Sequence, residues 1–164
     1  MFYVVDASNR VVEVDGDWDD TLSRNGGAAH ALRSRVLGRP LESFLAGDAT
    51  RMFVRASLDA VRLLGETRVL PYRCDSPTER QQFEMVISLQ DSGHVKVAHR
   101  LLNREPRVRR QRPPVGSLVA AWRCSQCLSV RAAGTPDWIG ADVAAPDGPL
   151  AQDVCPACAS RLFA

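Results

Sequence analysis

Gln81-Gln-Phe-Glu-Met-Val-Ile-Ser-Leu-Gln-Asp91, followed through Ser92-Gly93 by His94-Val-Lys-Val-Ala-His-Arg-Leu-Leu102, is the stretch that decides the fold class. Phe83, Met85, Ile87 and Leu89 recur with period two, and so do Val95, Val97, His99 and Leu101, so each run reads as a strand with one apolar face. Asp91-Ser-Gly93 joins the two as an antiparallel hairpin.

Working outward, Thr67 to Asp75 reads as a third strand of the same group. Before it, Asp48 to Gly65 has helical periodicity, with Asp48 as N-cap and a stripe of Phe53, Ala56, Ala60 and Leu64 expected in the core. Arg55, Asp59 and Arg62 fall on the opposite side. Leu41 to Leu45 is a single helical turn, Gly38-Arg-Pro40 breaks the chain, and Ala28 to Leu37 is helical or loop-like. Asp17 caps a short helix through Leu22 that ends at Asn25-Gly-Gly27. At the start, Phe2 to Asp6 and Arg10 to Asp15 are Val-rich runs separated by the turn-forming Ala7-Ser-Asn9, a further hairpin. The order of elements predicts an α+β fold: a five-stranded antiparallel sheet with its helices on one face.

At 164 residues, with 45% hydrophobic and 24% charged side chains, the chain can bury a real core and is long enough for one domain and a small appendage. The first residues have no basic segment before their short apolar run, and nowhere do about 18 apolar residues follow one another. The expectation is a cytoplasmic protein with no membrane span. The net charge of +2 hides a concentrated excess, since residues 104–123 carry six basic side chains and one acidic one. In Arg104-Glu-Pro-Arg-Val-Arg-Arg-Gln-Arg-Pro-Pro-Val-Gly116 the prolines oppose regular structure and the like charges keep the chain extended. Residues 104–117 are therefore expected to link a sheet domain, 1–103, to a unit at 118–164. The arginines can touch phosphate, but without interleaved aromatics a solvated linker is favoured over nucleic-acid binding.

Val4-Val-Asp6 in the first hairpin, Trp18 and Asn25 around the first helix, Gly38-Arg-Pro-Leu-Glu-Ser-Phe-Leu45 before the long helix, and the closing hairpin together resemble a PAS sensor domain over residues 1–103. The resemblance implies a small ligand held between sheet and helices, or self-association, with a signal passed to an effector. The Asn-Cys pair of blue-light flavin domains is absent, and no kinase, cyclase or helix-turn-helix region succeeds the sheet domain.

In the place of an effector stand Cys124-Ser-Gln-Cys127 and, after 27 residues, Cys155-Pro-Ala-Cys158. Each pair forms a tight knuckle with two thiolates at one locus, and two knuckles complete the tetrahedral four-sulfur shell that Zn²⁺ favours. Iron has the same ligand count and spacing requirement. A redox dithiol needs a βαβ context that is missing here, and a reducing cytosol disfavours disulfides. Four protein ligands leave no open coordination position, so the metal is expected to be structural. The interval between the knuckles exceeds the usual 15 to 20 residues, so it must hold an inserted hairpin or loop.

No phosphate-binding loop, nucleophile elbow or His-Glu-x-x-His is present, which argues against an enzyme. Asp15, Asp17, Asp19 and Asp20 are explained by helix capping, with an Mg²⁺ site the lesser reading. Phe53, Tyr72, Met85, Ile87 and His99 are expected to line an interior pocket for a modest, largely apolar ligand. His99 should face inward as a core residue that a ligand or haem could also engage. His30 and His94 read as exposed, and Cys74 as a buried, inert thiol. The expected whole is a stand-alone regulatory module: a PAS-like sensing or dimerising domain with a zinc unit that meets a protein partner. The alternatives are a nucleic-acid-binding transcriptional regulator and a thiol redox sensor.

Overall fold

A computed structural model describes residues 1–24, 29–75, 78–106, 119–141 and 149–162. Five strands, β1 (Phe2–Val5), β2 (Val11–Val14), β3 (Arg68–Arg73), β4 (Glu79–Leu89) and β5 (Val95–Pro106), form one antiparallel sheet in the order β2-β1-β5-β4-β3. The alternation that predicted β4 and β5 sets their register, with Met85 opposite His99, Ile87 opposite Val97 and Leu89 opposite Val95. Tyr3, Val5, Leu70, Met85, Ile87, Val95 and Val97 make the buried face of the sheet.

Helices cover that face. Helix α1 (Trp18–Arg24) starts directly after Asp17, whose carbonyl accepts the Thr21 N–H at 2.9 Å, and Trp18 Nε1 donates to the Ala31 carbonyl at 2.8 Å. A 3-10 turn (Ala29–Ala31), α2 (Arg33–Val36) and a second 3-10 turn (Leu41–Phe44) come next, and Gly38 takes φ +74° where the chain reverses. The long helix α3 (Asp48–Leu64) ends at Gly65, left-handed at φ +72° with its N–H on the Val61 carbonyl.

Three expectations for α3 are corrected. Its N-cap is Gly47, and Asp48 is the first helical residue. Its buried stripe is Thr50, Phe53, Val54, Ser57, Leu58 and Val61, while Ala56 is exposed and Leu64 is 54% exposed. The rotation brings Val54, Leu58 and Val61 inward in place of two alanines, which removes more apolar surface from water. Arg62 is not a solvent-facing charge. Its guanidinium donates to the carbonyls of Gly93 (3.2 Å) and Asp6 (2.8 Å) and to Asn9 Oδ1 (2.8 Å), tying the two hairpin turns to the helix.

Strand β5 runs three residues past the expected boundary at 103. Arg104, Glu105 and Pro106 pair with Gln81, Arg80 and Glu79, and Pro106 takes the last ladder position, where a missing N–H does least harm. The pairing shifts register between Gln82 and Phe83, a bulge that leaves Leu102 without an opposite residue. Residues 107–118, most of the expected linker, lie outside the described residues.

A second, three-stranded sheet has the order β7-β6-β8, with β6 (Ala121–Cys124) antiparallel to β7 (Val130–Ala132) and parallel to β8 (Leu150–Asp153). The inserted hairpin expected between the knuckles includes β7, with Val130 bridged to Ile139. One helical turn, α4 (Pro156–Ala159), comes after β8.

This small unit is seated on the first. Val154 packs against both hydrophobic clusters. The Arg73 N–H at the end of β3 donates to the Gln126 carbonyl, and Arg161 Nη1 donates to the Pro71 carbonyl at 3.3 Å. The outer edge of β3 is thus closed by its own chain, helped by Pro71, which has no N–H to offer. Gly47 lies so close to β8 that a Cβ there would come within 2.8 Å of both the Gln152 carbonyl oxygen and its Cβ. With φ at +82°, Gly47→Ala meets both strain and overlap. The variant should lose roughly 2–4 kcal/mol in urea unfolding, whereas Gly65→Ala, with nothing within 4 Å of its Cβ, should lose only the smaller cost of its positive φ.

Candidate metal centre

The first knuckle begins where β6 ends. Cys124 is its last residue, the turn Ser125-Gln126-Cys127 comes next, and Leu128 adopts φ +62° as its N–H returns to the Cys124 carbonyl at 3.0 Å. The second begins where β8 ends. Cys155 has extended backbone angles at the N-cap of α4, Pro156 supplies a preset φ at the first helical position, and one turn later the Cys158 N–H meets the Cys155 carbonyl at 3.0 Å. Because β6 and β8 are parallel neighbours, both knuckles leave the sheet at the same end.

The four Sγ atoms lie within 4.8 Å of one another, and Cys127 Sγ is 3.7 Å from Cys155 Sγ. A Zn–S bond of about 2.3 Å gives a tetrahedral S···S edge of about 3.8 Å. No cysteine is in a disulfide, and Cys124, Cys155 and Cys158 are buried. Backbone N–H groups point at sulfur: Gln126 and Cys155 donate to Cys124 Sγ at 3.4 and 3.3 Å, while Ser129 Oγ lies 2.9 Å from Cys127 Sγ. Such outer contacts orient thiolates and spread their charge.

The protonation pattern is that of a site wanting a cation. Burial pushes the Cys124 thiol up, and burial followed by the neighbouring thiolates pushes Cys158 up strongly. Burial also opposes ionisation of Cys127, but hydrogen bonds from Ser129, Cys124 and Cys155 outweigh it and bring this thiol to about 7. Cys127 ionises readily, whereas Cys124 and Cys158 resist until a positive ion sits beside them. The four cysteines can therefore hold a metal ion such as zinc. Around them, Trp138 and Val154 give an apolar cover, and the Arg131 guanidinium stacks on Trp122 and Trp138 while pairing with Asp153 at 3.4 Å.

Of the expected pocket residues, Phe53, Met85 and Ile87 are buried in the core, with Tyr72 partly buried against them. His99 faces the same interior and has a partner, since Tyr72 Oη is 2.8 Å from its Nδ1 and the Tyr3 ring lies 5.6 Å away. Burial and the N-terminal ammonium together outweigh Asp15 and lower the His99 pKa to about 4, so the ring is neutral near pH 7. The His30 side chain lies outside the described residues, and His94 is half-buried, not exposed. Cys74, one residue past the end of β3 at Arg73, is exposed, contrary to expectation. Asp15 takes the Phe2 N–H and faces the N-terminal ammonium, and Asp19 accepts the Arg33 N–H, so these two carboxylates serve local structure. The role of Gln126 was invisible in sequence, where it read only as spacer between two cysteines. Comparison with family models, curated proteins and solved structures gave no match.

The neutral His99 gives a pH signature. Its folded pKa lies below the unfolded value of 6.5, so the unfolded chain binds more protons between the two. Stability should be complete above about pH 6.5, fall by up to about 3 kcal/mol as pH drops toward 4, and level off below. His99→Gln should remove that slope in urea unfolding followed across the pH range.

Proposed function

We propose that this protein is a non-catalytic regulatory module, a PAS-like sensing or dimerising domain joined to a structural zinc unit that meets a protein partner. The observation that carries the reading is the convergence of four thiols within 4.8 Å of one another, with Cys127 and Cys155 at 3.7 Å. Four protein sulfurs fill a tetrahedral shell, so the metal would have no position left for water or substrate and would serve folding. Four free cysteines also suit a reducing compartment such as the cytoplasm. The PAS-like part of the reading rests on element order and on a five-stranded antiparallel sheet with helices on one face.

Zinc would supply what the small unit lacks. A segment near 40 residues rarely closes a stable core alone, and structural zinc contributes on the order of 10 kcal/mol at neutral pH. Native mass spectrometry should show one Zn²⁺ per chain. Chelation, or Cys155→Ser, should strip amide protection from residues 119–162 and from the Arg73 end of β3 while β1, β4 and β5 keep theirs. Protein purified under reducing conditions without zinc or iron would overturn the reading, and disulfides linking the knuckles would favour a redox sensor. DNA or RNA binding that is sequence-selective and survives physiological salt would favour the nucleic-acid reading.

A further inference from the structure

Where the cysteine unit meets the sheet there is a cavity of about 270 Å³, close to the lower end of small-molecule sites at about 300 Å³. It is separate from the expected interior pocket around His99 and Phe53, although Tyr72 borders both. Tyr72 and Phe83, neighbours across β3 and β4, stack with centroids 5.3 Å apart and planes at 19°. The opposite wall is the first knuckle, Gln126 and Cys127, and Pro71, Arg73, Gln82, Leu102 and Arg161 complete the lining.

The polar groups narrow the choice of ligand. Gln126 is only 6% exposed, its backbone carbonyl accepts from the Arg73 N–H, and one N–H of its carboxamide donates to Ser125 Oγ at 3.4 Å, leaving the amide oxygen and the other N–H for a ligand. A carboxamide offers one donor and one acceptor side by side, which matches a cis amide, and a guanidinium offers further donors. Among the described residues, the lining contains no carboxylate. Charge gives an anion little advantage, because Arg73 is already paired with Asp75 at 2.9 Å and Arg161 already donates to the Pro71 carbonyl. A neutral planar ring needs no unpaired cation and uses the stacked aromatics.

We propose that this junction is a binding site for a small, neutral heteroaromatic lactam, a planar ring with a carbonyl beside a ring N–H, as in a hydroxypurine or pyrimidinone. The ring lies against Tyr72 and Phe83, its cis-amide edge pairs with the Gln126 carboxamide, and Arg161 donates to its carbonyl oxygen. Because Gln126 and Cys127 belong to the knuckle, a bound ligand also holds that knuckle on the sheet. By linkage, a ligand that binds the metal-closed knuckle better than the open one must raise the knuckle's affinity for its metal. That last consequence rests on the zinc reading, whereas binding itself does not.

The test uses the full chain, with zinc content measured first, and hypoxanthine as probe. Purine, which lacks the carbonyl, and benzoate, which is charged, are the controls. In amide-resolved NMR, hypoxanthine should produce saturable shifts at Arg73, Phe83 and Gln126 and bind about tenfold more tightly than either control. Gln126→Leu should erase that preference without changing zinc content, and Phe83→Ala should weaken all ring binders together. At equilibrium with a chromogenic chelator, saturating hypoxanthine should raise the apparent zinc affinity of the protein several-fold. The proposal fails if hypoxanthine gives no saturable shift at millimolar concentration, if its shifts centre on His99 and Phe53, or if purine binds equally well. Binding as expected in protein that holds no zinc would keep the site and remove the zinc reading.

Discussion

Four sulfur atoms within 4.8 Å of one another cannot all become thiolates in a protein interior unless a cation lies between them. The local chain is arranged around that constraint. Parallel pairing of β6 with β8 sets both knuckles at one end of a small sheet, a left-handed Leu128 lets the first turn close, and Pro156 starts the single helical turn that carries Cys158 back. Two backbone amides supply partial positive charge to Cys124 Sγ. The geometry is therefore assembled from the main chain, with side chains contributing cover.

The sheet domain depends on that unit at one edge and on Arg62 at the other end. Arg62 joins α3 to the β1–β2 turn and to the β4–β5 turn, so three sequence-distant elements share one cation. At β3 the closing groups are a carbonyl from the knuckle and a guanidinium from beyond α4. Gly47 records how close the approach is, since no other residue fits beside Gln152 without displacing backbone.

Most of the architecture could be read from period and punctuation. Alternation at Phe83 to Leu89 and Val95 to Leu101 gave two central strands, and Gly38 and Gly65 marked real breaks. The paired cysteines identified the metal-competent cluster through spacing alone. The rotation of α3 was misread, because Phe53 with two alanines and Leu64 makes as regular a stripe as the true one, and only contact with the sheet decides which buries more surface. The β5 extension was hidden by Pro106, which signals a loop but is tolerated at a strand's final position. Seating of the small unit on β3 left no trace in sequence, since it uses the backbone carbonyl of a spacer residue and the absence of a side chain at Gly47.

The closed edge of β3 has a consequence in time. During synthesis, all five strands of the larger sheet are complete before Gln126 and Arg161 exist to cover it. A nascent chain therefore passes through a stage in which the Pro71–Arg73 end of this outer strand lies open to neighbouring chains, beside a Val69 that stays half exposed in the finished fold. Pro71 and the flanking Arg68 and Arg73 are the only protection at that stage that belongs to the strand itself. The interval between emergence of the sheet and closure of the second knuckle is thus the period of greatest exposure to aggregation.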